Sequence, residues 1–142
     1  MRDIYDVIAA DKTMKKLNQY LEIAKMAGTL QRKGPFTLFA PNDAAFARMN
    51  VEEQIHGDDQ LRSTLSYHVV PGRFTSGELV RAGFMKLETE NGMSLTVSLD
   101  EGEAVVDNAK LLKADIECSN GLIHVIDNVF QPRLSGWYDS WC

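Results

Sequence analysis

Apolar residues recur at helical spacing through the first half of this chain and at alternate positions through the second. Asp3 can cap a short helix carrying Ile4, Val7 and Ile8 on one side, with Asp6 favourably placed in its first turn. Thr13 opens a second helix: Met14, Leu17, Leu21 and Ala24 fall three and four apart on a core-facing stripe, and Gly28 supplies a C-terminal stop. Lys33-Gly34-Pro35 breaks the chain ahead of a strand from Phe36 to Ala40, and Pro41-Asn42-Asp43 turns it into a short helix through Phe46 and Met49. Asp58 caps another helix with Leu61 and Leu65 inward, and Tyr67-His68-Val69-Val70 reads as a short strand ended by Pro71-Gly72. Thr75-Ser76-Gly77-Glu78 is a capping box for a helix to about Ala82.

From Met85 the period is two. Met85 to Thr89 and Ser94 to Leu99 form a hairpin around Glu90-Asn91-Gly92, where Asn-Gly suits a type I′ turn. Asp100-Glu101-Gly102-Glu103 turns into Ala104 to Val106, Asp107-Asn108 into Lys110 to Glu117, and Ser119-Asn120-Gly121 into Leu122 to Asp127. The second half is thus an antiparallel meander, and with the two earlier segments the chain has about seven strands. Helices first and hairpins later predict an α+β domain.

At 142 residues, 44% apolar and 25% charged, the chain is long enough for one domain with a core that needs no staples. The net charge of −5 excludes the global positive field that would hold a nucleic acid. That charge is uneven: seven basic and four acidic groups in residues 1–33, eight and sixteen afterwards, which reads as a mildly polar molecule with a solvated charged face. No apolar run approaches the roughly 18 residues of a membrane span, so no direct membrane insertion is expected. Met1-Arg2-Asp3 leads into an acid-containing amphipathic pattern unlike a signal peptide; the chain is cytoplasmic if Met1 is the native start, and secreted or surface-borne if a leader was removed. Cys118 and Cys142 lack zinc-site spacing; Cys118 reads as a small core residue, and a bridge between the two is the competing reading.

The usual catalytic motifs are missing, and the histidines are His56, His68 and His124. His68 and His124, both on strand-like segments, could meet with Asp127 as a metal or acid–base group. The alternative is that each imidazole is half buried and hydrogen-bonded to backbone, fixing neighbouring segments. In Thr37-Leu38-Phe39-Ala40-Pro41-Asn42-Asp43-Ala44-Ala45-Phe46, the two phenylalanines can anchor strand and helix in one core while Asn42 or Asp43 caps the helix. In Asn120-Gly121-Leu122-Ile123-His124-Val125-Ile126-Asp127-Asn128-Val129-Phe130-Gln131-Pro132, Asn-Gly makes a turn and the apolar run a buried central strand. Asn42, Asp43, Asp127 and Asn128 are oxygen donors for calcium in principle, but without EF-hand spacing they read as caps.

These strings resemble the conserved blocks of the fasciclin-like domain, the adhesion domain of fasciclin I. The first matches its opening block, T-[VL]-F-A-P-[TN]-[ND]-x-A-F, at Thr37, Phe39, Pro41, Asn42 and Phe46. Tyr67-His68 matches the central tyrosine-histidine element. Asn120, Gly121, His124 and Asp127 match the closing block, N-G-x-I-H-V-I-D. The resemblance covers residues 1 to about 132 and implies two sheets forming a wedge or sandwich, with helices mainly from the N-terminal half. It also implies no enzymatic activity, no cofactor and no metal, in an adhesion or protein-interaction module. In animal members integrin-binding determinants lie around the tyrosine-histidine element and an Asp-Ile dipeptide, which here are Tyr67, His68, Asp115 and Ile116. Without an N-x-[ST] sequon or Arg-Gly-Asp, the chain looks like a bacterial-type single-domain member.

Residues 133–142 lie beyond the resemblance and hold Trp137, Tyr138 and Trp141, the composition of an interface anchor. The competing reading folds this tail over a groove of its own domain or leaves it partly disordered. The expected partners are therefore proteins, at a cell surface or in a membrane complex, with the chain itself a monomer or weak homo-oligomer. An alternative role for the same fold is a cytoplasmic accessory subunit of a membrane-associated complex, such as the cyanobacterial NAD(P)H dehydrogenase-like complex for carbon dioxide uptake that some members of this family accompany.

Overall fold

The computed structural model describes residues 2–49, 57–107 and 109–130. Helix α1 (Ile4–Ala10) is capped as its sequence dictates, the Asp3 carboxylate accepting the Asp6 N–H at 2.8 Å. Helix α2 (Lys15–Ile23) is capped from elsewhere in the chain. Thr13 turns its N–H and hydroxyl onto Asp11, while Asp43 accepts the Lys16 N–H at 2.8 Å and returns its own N–H to the Thr13 carbonyl at 2.8 Å. The stop is also not Gly28. Lys25 takes φ 58° and the Met26 N–H folds back to the Leu21 carbonyl at 2.9 Å, a Schellman ending built on a lysine. Gly28 only precedes a single 3-10 turn, Thr29–Gln31.

Strand β1 (Phe36–Pro41) passes into α3 (Asp43–Met49), with Asn42 accepting the Ala45 N–H at 2.9 Å. Helix α4 (Asp58–Ser66) has Gly57 at its cap position, one residue before the expected Asp58. Tyr67 and His68 close α4 rather than open a strand, their N–H groups returning to Ser63 and Leu65, and β2 is only Val69–Pro71. Helix α5 (Ser76–Ala82) carries the full capping box of Thr75 and Glu78. There follow β3 (Met85–Glu88), β4 (Ser94–Asp100), β5 (Glu103–Val106), β6 (Ala109–Cys118) and β7 (Gly121–Ile126). The type I′ geometry expected at Asn91-Gly92 falls instead at Glu101 (φ 51°) and Gly102 (φ 82°). Asn91 keeps negative φ and uses its side chain to accept the Met93 N–H at 2.8 Å.

The seven strands follow the order β2-β1-β7-β6-β5-β4-β3. The meander from β3 to β7 is antiparallel, and β1 pairs parallel to β7 and antiparallel to β2. Two pairing regions share β6, whose register slips between Leu111 and Lys113 and again between Lys113 and Ile116. The sheet curls until the loop after β3 reaches β2, the Glu90 N–H meeting the Val69 carbonyl at 2.8 Å. The result is an α+β fold with a nearly barrel-shaped mixed sheet.

Two cores lie on the two faces of this sheet. Phe36, Leu38 and Ala40 of β1 with Ile123 and Val125 of β7 meet the stripes of α1 to α4. Phe39 and Ile126, pointing the other way, join Leu79, Leu87, Leu95, Val97 and Val106 inside the curl. Phe39 and Phe46 thus belong to different cores: strand alternation turns Phe39 away from the helices, while Phe46 packs on Tyr20 with ring centroids 5.2 Å apart.

Candidate functional site

Because Tyr67 and His68 follow α4 directly, the helix end drives both side chains into the protein, each about 1% exposed. The Tyr67 hydroxyl crosses the inner core to donate its proton to Asp107 Oδ2 at 2.8 Å, with the Ser94 carbonyl at 3.1 Å as the second, more distant acceptor of the same proton. His68 accepts the Phe130 N–H at Nε2, 2.9 Å, so its proton sits on Nδ1 and donates to the Thr64 carbonyl at 2.8 Å. Burial holds its pKa down at about 4, and the imidazole is neutral. Rings continue from it through the core: His68 stacks on Phe130 at 4.7 Å, Phe130 tilts to Phe39 at 5.8 Å, and Phe39 to His124 at 5.6 Å.

His124, fully buried on β7, has the opposite tautomer. Its Nδ1 accepts the Asp115 N–H at 3.1 Å, and Nε2–H donates to the Phe74 carbonyl at 2.7 Å. The Thr37 hydroxyl accepts the Phe74 N–H at 2.9 Å and donates to the Gly72 carbonyl at 2.8 Å. β1 and β7 thereby hold both main-chain polar groups of one residue, Phe74, in the loop from β2 to α5. Asp115, at the β6 register slip with φ 58°, fastens the next residues: its carboxylate accepts the Ser76 N–H at 2.8 Å and the Ser76 hydroxyl. Partial burial pushes the Asp115 carboxyl up, but Ser76 and the nearby Arg73 outweigh this and hold it below its ordinary value. Arg73 and Glu117 pair across the surface at 3.0 Å, both largely in solvent. Asp115 is exposed, whereas Ile116 is half-buried against the outer core.

The closing block also fixes the chain start. Asn120 accepts the Ile4 N–H at 2.9 Å and donates to the carbonyls of Leu30 and Arg32, each at 2.7 Å. Gly121 passes so close to β1 that a Cβ there would lie 1.9 Å from the Phe36 carbonyl oxygen. Asp127 accepts the Lys110 N–H at 2.8 Å, joining β7 to the start of β6, and takes no part with the histidines. Among the described residues no three His, Cys, Asp or Glu side chains converge on a metal position. Pro41, buried, closes β1 ahead of the Asn42 cap. Burial pushes the Cys118 thiol up to about 11, while Cys142, His56, Trp137, Tyr138 and Trp141 lie outside the described residues.

The structure therefore unites Tyr67, His68 and His124 through one ring series and attaches Asp115 to its end. It adds Thr37, Arg73, Phe74 and Ser76, which join over separations of 35 to 50 residues and so leave no local sequence signal. Thr37 was visible as part of the opening block and Ser76 as part of the capping box, but neither showed these partners.

A family model for the Fasciclin domain matches residues 12–132. The chain belongs to the fasciclin domain family. Among fasciclin-domain relatives, Protein sll1483 of Synechocystis is 37% identical over 136 residues, covering 92% of this chain and 74% of its own length. Transforming growth factor-beta-induced protein ig-h3 of Sus scrofa is 29% identical over 135 residues, 93% of this chain but 20% of that protein. A FAS1 domain pair from the insect cell adhesion molecule fasciclin I superposes with a TM-score of 0.77 at 22% identity, over 91% of this chain and 50% of that one, and so shares the fold. Fasciclin-domain relatives make this an adhesion or protein-interaction type of domain, from a family not composed of enzymes. No helix among the described residues is long and apolar enough to cross a membrane.

Proposed function

We propose that this chain is a non-catalytic protein-binding module whose contact surface is the β6 register slip with the loop 72–76. The exposed groups there include Asp115, Arg73 and Glu117. Tyr67 and His68 belong to this region as positioning residues, shaping it from inside the core. The observation that carries this reading is the use of the chemically capable side chains. His68, His124, Asp115 and Asp127 all engage main-chain groups of other segments, which braces a surface and leaves no convergent reactive set among the described residues. Family membership supports the same reading. Trp137, Tyr138 and Trp141 are proposed as a second contact particular to this chain. Neither the fold nor the relatives supports the alternative of a subunit in a carbon dioxide uptake complex.

Affinity capture from soluble and membrane fractions of the source cells, read by mass spectrometry, tests this. Protein partners held by the parent chain are expected to be lost with Arg73→Glu, which reverses an exposed charge beside Asp115 and Glu117. Because exposed ion pairs contribute at most about 1 kcal/mol, the melting curve should barely move. Equal recovery by parent and variant would remove the surface from consideration.

A further inference from the structure

Strands β2 and β3 end the strand order on opposite sides, and their edges approach without pairing beyond the single Glu90–Val69 hydrogen bond of 2.8 Å. Past that pin an open groove of about 610 Å³ separates them. Its apolar lining includes Val70, Phe74, Met85 and Leu87, and Lys86, Glu88 and Glu90 also line it.

Which backbone groups face this groove follows from the alternation of the β3–β4 ladder. Lys86 opposes Thr96, and Glu88 opposes Ser94. Thr96 gives its N–H to Asp107 Oδ1 and takes the Asp107 N–H on its carbonyl, both at 2.8 Å, and the Ser94 carbonyl accepts the Tyr67 hydroxyl at 3.1 Å. These are the non-hydrogen-bonded pairs, so the N–H and C=O of Lys86 and Glu88 point away from β4 and into the groove. Among the described residues they meet no backbone partner there. On the other wall Pro71 has no N–H to offer, so β3 is the edge able to receive a strand.

We propose that the groove takes an extended segment of a partner protein, added to β3. Its alternate apolar side chains would lie on Phe74 and Met85, and its Lys or Arg residues would face Glu88 and Glu90. Charge selects this occupant: the charged side chains lining the groove are Glu88 and Glu90 against one base, Lys86, a net negative field that attracts a basic segment. The same field opposes a second copy, since pairing β3 with β3 would bring two such linings together. Resting on the interaction-module reading above, the assignment extends the contact surface from loop 72–76, which supplies Phe74, and states what kind of partner segment it accepts.

The test is titration of the intact chain with the end-capped heptapeptide TVKVRVT, followed by amide NMR and hydrogen exchange. Exchange at Lys86 and Glu88 is expected to slow at least tenfold at saturation. Lys86→Pro should abolish binding, because it removes an outward N–H while leaving the β3–β4 hydrogen bonds in place. Glu88→Lys should weaken binding about tenfold and reduce its salt dependence; it carries the test if Lys86→Pro melts well below the parent. Absence of binding at millimolar peptide, or full affinity in a folded Lys86→Pro, overturns the proposal. So does slow exchange at Lys86 and Glu88 in the free protein, which would mean the groove is already filled by this chain or, if concentration-dependent, by a second copy. Partner capture lost with Arg73→Glu but kept with Lys86→Pro would remove the groove and leave the module standing; peptide binding without any captured partner would do the reverse.

Discussion

A methyl group at Gly121 would stand 1.9 Å from the Phe36 carbonyl oxygen and 2.8 Å from the Phe36 carbonyl carbon and nitrogen, so β1 and β7 would have to separate to admit it. Gly121→Ala is therefore expected to cost more than about 4 kcal/mol and to leave little folded protein, read as loss of the melting transition. His68 sets a pH dependence. Its pKa is 6.5 in the unfolded chain and about 4 when folded, so the unfolded state binds the extra proton in between. The stabilisation is complete above pH 6.5 and is lost as pH falls toward 4, on the order of 3 kcal/mol in all. Chemical denaturation of the parent and of His68→Gln at pH 7 and pH 4.5 should show the parent losing the greater share of its stability. The residues responsible were legible as a conserved-looking block, but the direction of each imidazole was not. That depends on Phe130 and Phe74, which lie 62 and 50 residues away.

At the scale of elements, the ends marked by local chemistry formed where the sequence put them. Asp3 before α1, Asn42 before α3 and the Thr75–Glu78 box before α5 need only residues within three positions. The ends marked by a single permissive residue did not. Gly28 was not reached because the chain already turned at Lys25, with the Met26 N–H returning to the Leu21 carbonyl, and Thr13 ceded the α2 cap to Asp43 from the next structural layer. Tyr67 shows how an element end can serve another element, since its hydroxyl joins the end of α4 to β4 and the turn after β5. Tyr67→Phe is expected to lower stability by about 1–3 kcal/mol, because Asp107 Oδ2 loses a buried donor. A melting comparison checks this, and an unchanged midpoint would show that water replaces the hydroxyl.

For the whole molecule, two cores on opposite faces of one sheet would permit separate unfolding, but their boundary is crossed at several places. β1 and β7 supply both cores by alternation, and Asn120 ties the chain start to the turn before β7. The protein is expected to unfold as one unit, with coincident near- and far-UV transitions and equal calorimetric and van't Hoff enthalpies. Two resolved transitions would instead assign the helical layer and the inner core separate stabilities.

The sequence by itself determined the α+β class, the seven strands, the meander and the capped starts of α1, α3 and α5, because each rests on residue period or on hydrogen bonds a few positions apart. It also carried the family blocks, whose Gly121, Asn120 and Phe39 are needed by the backbone as much as by any partner. Tertiary structure alone decided that Phe39 and Phe46 face different cores, that Tyr67 and His68 point inward, and that Asp115 meets Ser76 beside Arg73. It also decided that the curled sheet stops short of closing between β2 and β3. Those outcomes depend on strand order, register and the slip in β6, which are settled by contacts between distant segments.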